Sequence, residues 1–65
     1  VDNMPVIQIT VSTGRSIEQK RELVSILTKE TARIMMTDEA KVRILIYEVS
    51  RENWANAGVL GIDME

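Results

Sequence analysis

At 65 residues, with 45% hydrophobic side chains, a net charge of −2 and neither cysteine nor histidine, the chain suffices for one domain but not for a thick core. A chain this short buries only about 60% of the surface its unfolded form exposes; disulfides and a structural zinc site are excluded as supplements, which leaves self-association. The charge lacks the basic excess that draws nucleic acid or an anionic membrane, no apolar run approaches the roughly 20 residues of a membrane span, and no secretory segment leads the chain, so a cytoplasmic protein is expected.

A Met-Pro pair, Met4 and Pro5, stands directly before an alternating run. From Pro5 to Ser12 the residues Ile7, Ile9 and Val11 share one face, and Val6, Gln8, Thr10 and Ser12 the other, which predicts a strand. Pro5 suits its first position, where a missing N–H removes no interior ladder bond. Thr13, Gly14 and Arg15 form a short loop, and Ser16 with Gln19 three residues on has the capping-box pattern. Glu18 adds a negative charge where the helix dipole favours it.

From Ile17 to about Met36, Leu23, Val24, Leu27, Thr31, Ile34 and Met35 recur at three- and four-residue steps, with Lys20, Glu22, Lys29 and Arg33 on other faces; one amphipathic helix is predicted. The segment Thr37 to Lys41 is a polar break with room for a second helical turn. Val42 to Val49 is almost continuously apolar or β-forming, as in a strand covered on both faces. Strand, helix and strand with short joins predict a right-handed βαβ unit with parallel strands, an α/β (α+β) fold. The sixteen residues from Ser50, with Trp54 and two glycines, suit a hairpin or a strand that pairs with another subunit. The whole chain, 1–65, reads as a single domain, with 1–4 as an extension before Pro5.

Without histidine or thiol, the groups left for proton transfer are carboxylates, lysines, arginines, Tyr47 and the terminal amine. An α-amino group, with an ordinary pKa of about 7.7–8.0, is the one base that works at neutral pH with little tuning. Nearby arginines and an apolar pocket lower that value, because each disfavours another positive charge. This chemistry requires Pro5 to be the first residue. Arg15 is either a solvated loop charge or an anion ligand. Arg43, in an apolar strand, needs a partner: Glu48, an acid of a neighbouring subunit, or a planar carboxylate ligand. Trp54 reads as a core or interface anchor or a ligand wall. Tyr47 and the four methionines read as packing.

Taken together, Pro5, the segment GRSIEQKRELV from Gly14 to Val24, Arg43 in VRILIYEV and Trp54 in WANAGV resemble the 4-oxalocrotonate tautomerase family over nearly the whole chain. The resemblance implies βαβ subunits that pair into dimers with a four-stranded sheet, and a dimer-based homohexamer. It implies that Pro5, exposed as an amino-terminal proline, is the general base moving a proton in an unsaturated 2-hydroxy or 2-oxo (di)carboxylic acid, with no cofactor and no metal. By position, Arg15 corresponds to the arginine that holds the distal carboxylate of the substrate, Arg43 to the one at the carbonyl oxygen and near carboxylate, and Trp54 to the aromatic wall. In that family the arginines reach a given proline from neighbouring subunits.

Two substrate-facing positions depart from the family pattern. Ser12 stands where a bulky apolar residue often lies, and a glycine-rich GIGG hairpin is replaced by Ala55-Asn56-Ala57-Gly58, with Asn56 at a common apolar wall position. A more polar pocket depresses the amine's pKa less and admits a different substrate. If Val1 is the mature terminus, Pro5 nitrogen is an amide without a basic lone pair. The base is then the Val1 amine or absent, and the chain is a non-catalytic relative that binds small carboxylates or serves as a structural subunit.

Overall fold

The computed structural model describes residues 4–64. Strand β1, Val6–Ser12, leads through a turn at Gly14 into helix α1, Ile17–Met35; a 3₁₀ turn, Glu39–Lys41, precedes strand β2, Arg43–Val49. Strands β3, Ala55–Asn56, and β4, Val59–Leu60, form a small hairpin, and a second 3₁₀ turn, Gly61–Asp63, follows it. The predicted elements fall within one residue of these bounds. The polar break holds the anticipated turn, and the C-terminal segment is the hairpin of the two alternatives. The Val1–Asn3 part of the expected N-terminal extension lies outside the described residues.

Local chemistry accounts for the boundaries of α1. The Ser16 hydroxyl accepts from the Gln19 N–H (3.0 Å), and the Gln19 side chain accepts from the Ser16 N–H (2.9 Å), so two otherwise orphaned donors are satisfied. At the other end Met36 adopts the left-handed conformation (φ 56°), and the Thr37 N–H donates back to the Ala32 carbonyl (3.0 Å). That closure is of the Schellman type, here formed without its usual glycine.

Strands β1 and β2 pair in parallel with Val6 opposite Arg43 and Ser12 opposite Val49. The sheet therefore has one face of Ile7, Ile9, Val11, Ile44 and Ile46, half-buried against α1, and another of Val6, Gln8, Thr10, Ser12, Arg43, Leu45 and Tyr47, which is exposed. β2 was expected to be covered on both faces; within one chain it is covered on one, leaving Leu45 43% and Tyr47 50% exposed. A continuous apolar run states that both faces avoid water, not that one chain supplies both covers.

The helix stripe also differs from expectation. Val24, Leu27 and Thr31 are half-buried toward the sheet and Ala32 is buried, but Leu23, Ile34 and Met35 are exposed. Lys20, expected off the apolar stripe, is half-buried and pairs with Glu48 at 2.6 Å. The core is correspondingly thin: no large side chain among the described residues is fully buried. The subunit measures 44 × 27 × 14 Å with a radius of gyration of 15.3 Å, against about 11 Å for a compact domain of this length.

Candidate functional site

The expected site residues lie at the two ends of the parallel strand pair. At the amino-terminal end the Arg43 N–H donates to the Pro5 carbonyl (3.0 Å), which sets the two residues side by side where both strands begin. The Arg43 side chain is exposed on the open face, and its Nη1 donates to the Ala40 carbonyl at 2.9 Å. Its anticipated alternative partner, Glu48, is taken by Lys20. Strand geometry explains the correction: five residues separate Arg43 from Glu48, an odd number that puts them on opposite faces and about 16 Å apart.

At the carboxyl-terminal end Ser12 and Trp54 line one open groove of about 380 Å³ together with Thr10, Val11, Val49 and Asn53. Trp54 is 38% exposed. It is carried there by the tight turn after β2, in which the Asn53 N–H donates to the Ser50 carbonyl (2.9 Å) and the Asn53 side chain to the Ser50 hydroxyl (3.2 Å). The indole presents a flat apolar wall beside the hydroxyls of Thr10 and Ser12, a lining suited to a planar molecule with polar edges.

Arg15 follows the turn at Gly14, whose φ of 110° is in the region glycine adopts without strain. It borders a different hollow, of about 220 Å³, on the helix side with Val11, Gln19, Lys20, Leu23 and Ile46. Its guanidinium is exposed and has no ion pair or hydrogen bond among the described residues. Asn56 lies in β3 opposite Val59, exposed and outside the groove that holds Trp54. One chain thus brings Pro5 to Arg43 and Ser12 to Trp54, but leaves Arg15 and Asn56 apart from both. About 23 Å of strand separates Pro5 from Ser12. A molecule the size of a six-carbon diacid cannot touch both ends of one subunit.

No three or more acidic side chains among the described residues cluster closely enough to hold a metal ion, and no described helix is long and apolar enough to cross a membrane. Some residues that shape these surfaces are not singled out as site residues in the sequence. Thr10 and Asn53 join the groove through strand register and turn geometry, and Arg51 reaches ten residues ahead to the Gly61 carbonyl. The period-two pattern flagged the face of Thr10; nothing local marked Arg51.

A family model described as tautomerase enzyme matches residues 1–57. The chain belongs to the tautomerase family. Among curated tautomerases, the 2-hydroxymuconate tautomerase of Comamonas testosteroni is 39% identical over 56 residues, covering 86% of this chain and 89% of that protein. A crystal structure of a 4-oxalocrotonate tautomerase homologue superposes with a TM-score of 0.89 at 44% identity, covering 95% of this chain and 98% of the other. A heterohexameric 4-oxalocrotonate tautomerase from Chloroflexus aurantiacus gives 0.86 at 34% identity over 95% of this chain and all of that one. The tautomerase fold therefore extends over almost the whole subunit, including the hairpin, and the resemblance noted in the sequence is one of family.

Proposed function

We propose that this tautomerase acts without a cofactor on an unsaturated 2-hydroxy or 2-oxo (di)carboxylic acid, using the amine of Pro5, once freed as the first residue, as general base. The observation that carries the reading is the parallel register that sets Arg43 directly beside Pro5. The amine accepts the proton of the enol hydroxyl and returns it to a carbon of the conjugated chain. The enol becomes a ketone, a double bond shifts, and no atom is gained or lost.

Each residue has a role that follows from its chemistry. The Arg43 guanidinium stabilises charge developing on the enol oxygen and binds the near carboxylate. Arg15, unpaired among the described residues, supplies a planar fork for the distal carboxylate of a substrate bound at a neighbouring copy's Pro5. Trp54 walls the pocket and Ser12 gives its edge polar character; Asn56, outside this groove in its own chain, adds a polar group to the site of a neighbouring copy. Two cations near the amine disfavour a third positive charge and so keep its lone pair free near neutral pH. The assembly is a homo-oligomer in which facing subunits cover the open sheet surface of Val6, Leu45 and Tyr47 and bring the two ends of different strands together.

The test compares two versions of the protein: the 65-residue chain, and a chain starting at Met4 from which the methionine is removed. Ketonisation of 2-hydroxymuconate and of phenylenolpyruvate is followed by ultraviolet absorbance. Turnover by the Pro5-initiated chain, lost on Pro5→Ala, supports the proposal. Equal turnover by both chains would place the base elsewhere, and binding without turnover by either would make the chain a carboxylate-binding relative.

A further inference from the structure

The loop that carries Trp54 is tied to the end of the chain by a set of contacts that the proposed chemistry does not use. The Arg51 guanidinium donates from Nε and Nη2 to the Gly61 carbonyl (3.1 and 2.7 Å), and from Nη2 to the Met64 carbonyl (3.0 Å). The Arg51 carbonyl in turn accepts from the Ile62 N–H (3.1 Å), and the Gly61 N–H donates to the Trp54 carbonyl (2.9 Å). Gly61 is thus held through both its peptide groups, and it is buried. Its α-carbon lies against the indole: a Cβ there would stand 2.8 Å from Cε2 and 2.9 Å from Cζ2 of Trp54, and 2.9 Å from the Arg51 carbonyl. Nothing but glycine fits without moving the ring.

We infer that Arg51 and Gly61 form a clamp that positions Trp54 and thereby sets the width of the groove it shares with Thr10 and Ser12. The inference rests on the reading above only in taking that groove as part of the substrate site. A tryptophan on a short loop has two side-chain torsions to fix, and a wall that is only part-covered does not fix them unaided. The glycine supplies a flat support behind the ring. Charge-assisted donors of Arg51, in a fixed fork that a lysine lacks, hold that support in place. Arg51 is therefore a positioning residue: it touches carbonyls of its own chain, while its effect is felt on the far side of the indole.

Trp54 is the only tryptophan, so its fluorescence reports the clamp directly. In the Pro5-initiated oligomer, Arg51→Ala is expected to raise acrylamide quenching of that emission, with Arg51→Lys intermediate. Gly61→Ala displaces the ring toward Ser12 and shifts the emission maximum. In all three KM for the enol acid should rise roughly 3- to 10-fold with kcat within about twofold, since a wall displaced by under 1 Å alters binding more than the proton-transfer groups. Unchanged quenching and emission in Arg51→Ala and Gly61→Ala would overturn the clamp. Altered emission with KM unmoved would instead overturn the link between the clamp and substrate, whereas altered emission in a chain that shows no turnover at all would keep the clamp and refute the proposed activity. If Arg51→Ala does not fold, as judged by far-ultraviolet circular dichroism, the same outcomes are read from Arg51→Lys and Gly61→Ala.

Discussion

Arg43 shows how much a single position can be asked to do. Its backbone completes the first rung of the parallel ladder with Pro5, and its side chain makes a solvent-exposed hydrogen bond to the Ala40 carbonyl. Removing the side chain forfeits about 1 kcal/mol of stability at most, yet removes the cation beside the proposed base. Arg43→Ala should therefore lower kcat/KM on a dicarboxylate enol by about 10²-fold or more, with the thermal midpoint nearly unchanged; losses of equal size in stability and turnover would make Arg43 structural. The sequence told that an arginine in an apolar strand needs a partner but misjudged which. Glu48 is on the opposite face, and its attraction is spent on Lys20. Ser12 and Trp54, which the family resemblance places at one pocket, share a groove. Arg51 and Gly61 could not be named from the sequence, because their partnership spans ten residues and depends on a glycine chosen for what rests on it rather than for its own torsion angles.

Elements were legible where periodicity and capping agreed. Ser16 and Gln19 announce the start of α1, and both reciprocal bonds form; alternation marks β1, the apolar run marks β2, and the helix that joins them makes their pairing parallel. The hairpin was harder to read, since its turn breaks the usual residue preferences. Ala57 and Gly58 both have positive φ (54° and 83°), the pattern of a type I′ turn, which normally favours Asn-Gly over Ala-Gly. An alanine in the left-handed region costs on the order of 1 kcal/mol. Ala57→Gly should therefore leave stability equal or raise it by about 1 kcal/mol per chain, read from denaturant unfolding at fixed protein concentration. A clear loss would mean that this turn is not left-handed at Ala57. The helix stripe was read too broadly because apolar residues at Leu23 and Ile34 obey the helical period as well as the sheet-facing ones do; periodicity gives a face its direction, not its covering.

For the whole molecule, flatness is the governing fact. A radius of gyration of 15.3 Å, an open sheet face with Leu45 and Tyr47 half exposed, and no fully buried large side chain among the described residues describe a subunit that meets its stability requirement in company. That need was foreseeable from length and composition; which surface is shared was not, because a sequence does not say which chain covers a strand. The same geometry underlies the account of function, for Pro5 and Arg43 stand at one end of the strand pair, Ser12 and Trp54 share a groove at the other, and Arg15 borders a separate hollow on the helix side. The most direct measurement is subunit complementation. Pro5→Ala and Arg15→Ala variants, both begun at Met4 and each inactive alone, are unfolded together, refolded as a mixture, checked for assembly by sedimentation and assayed on 2-hydroxymuconate. If the base and its distal arginine come from different subunits, random co-assembly restores roughly a quarter of the wild-type activity. Oligomers that mix but recover no activity would contradict the shared site.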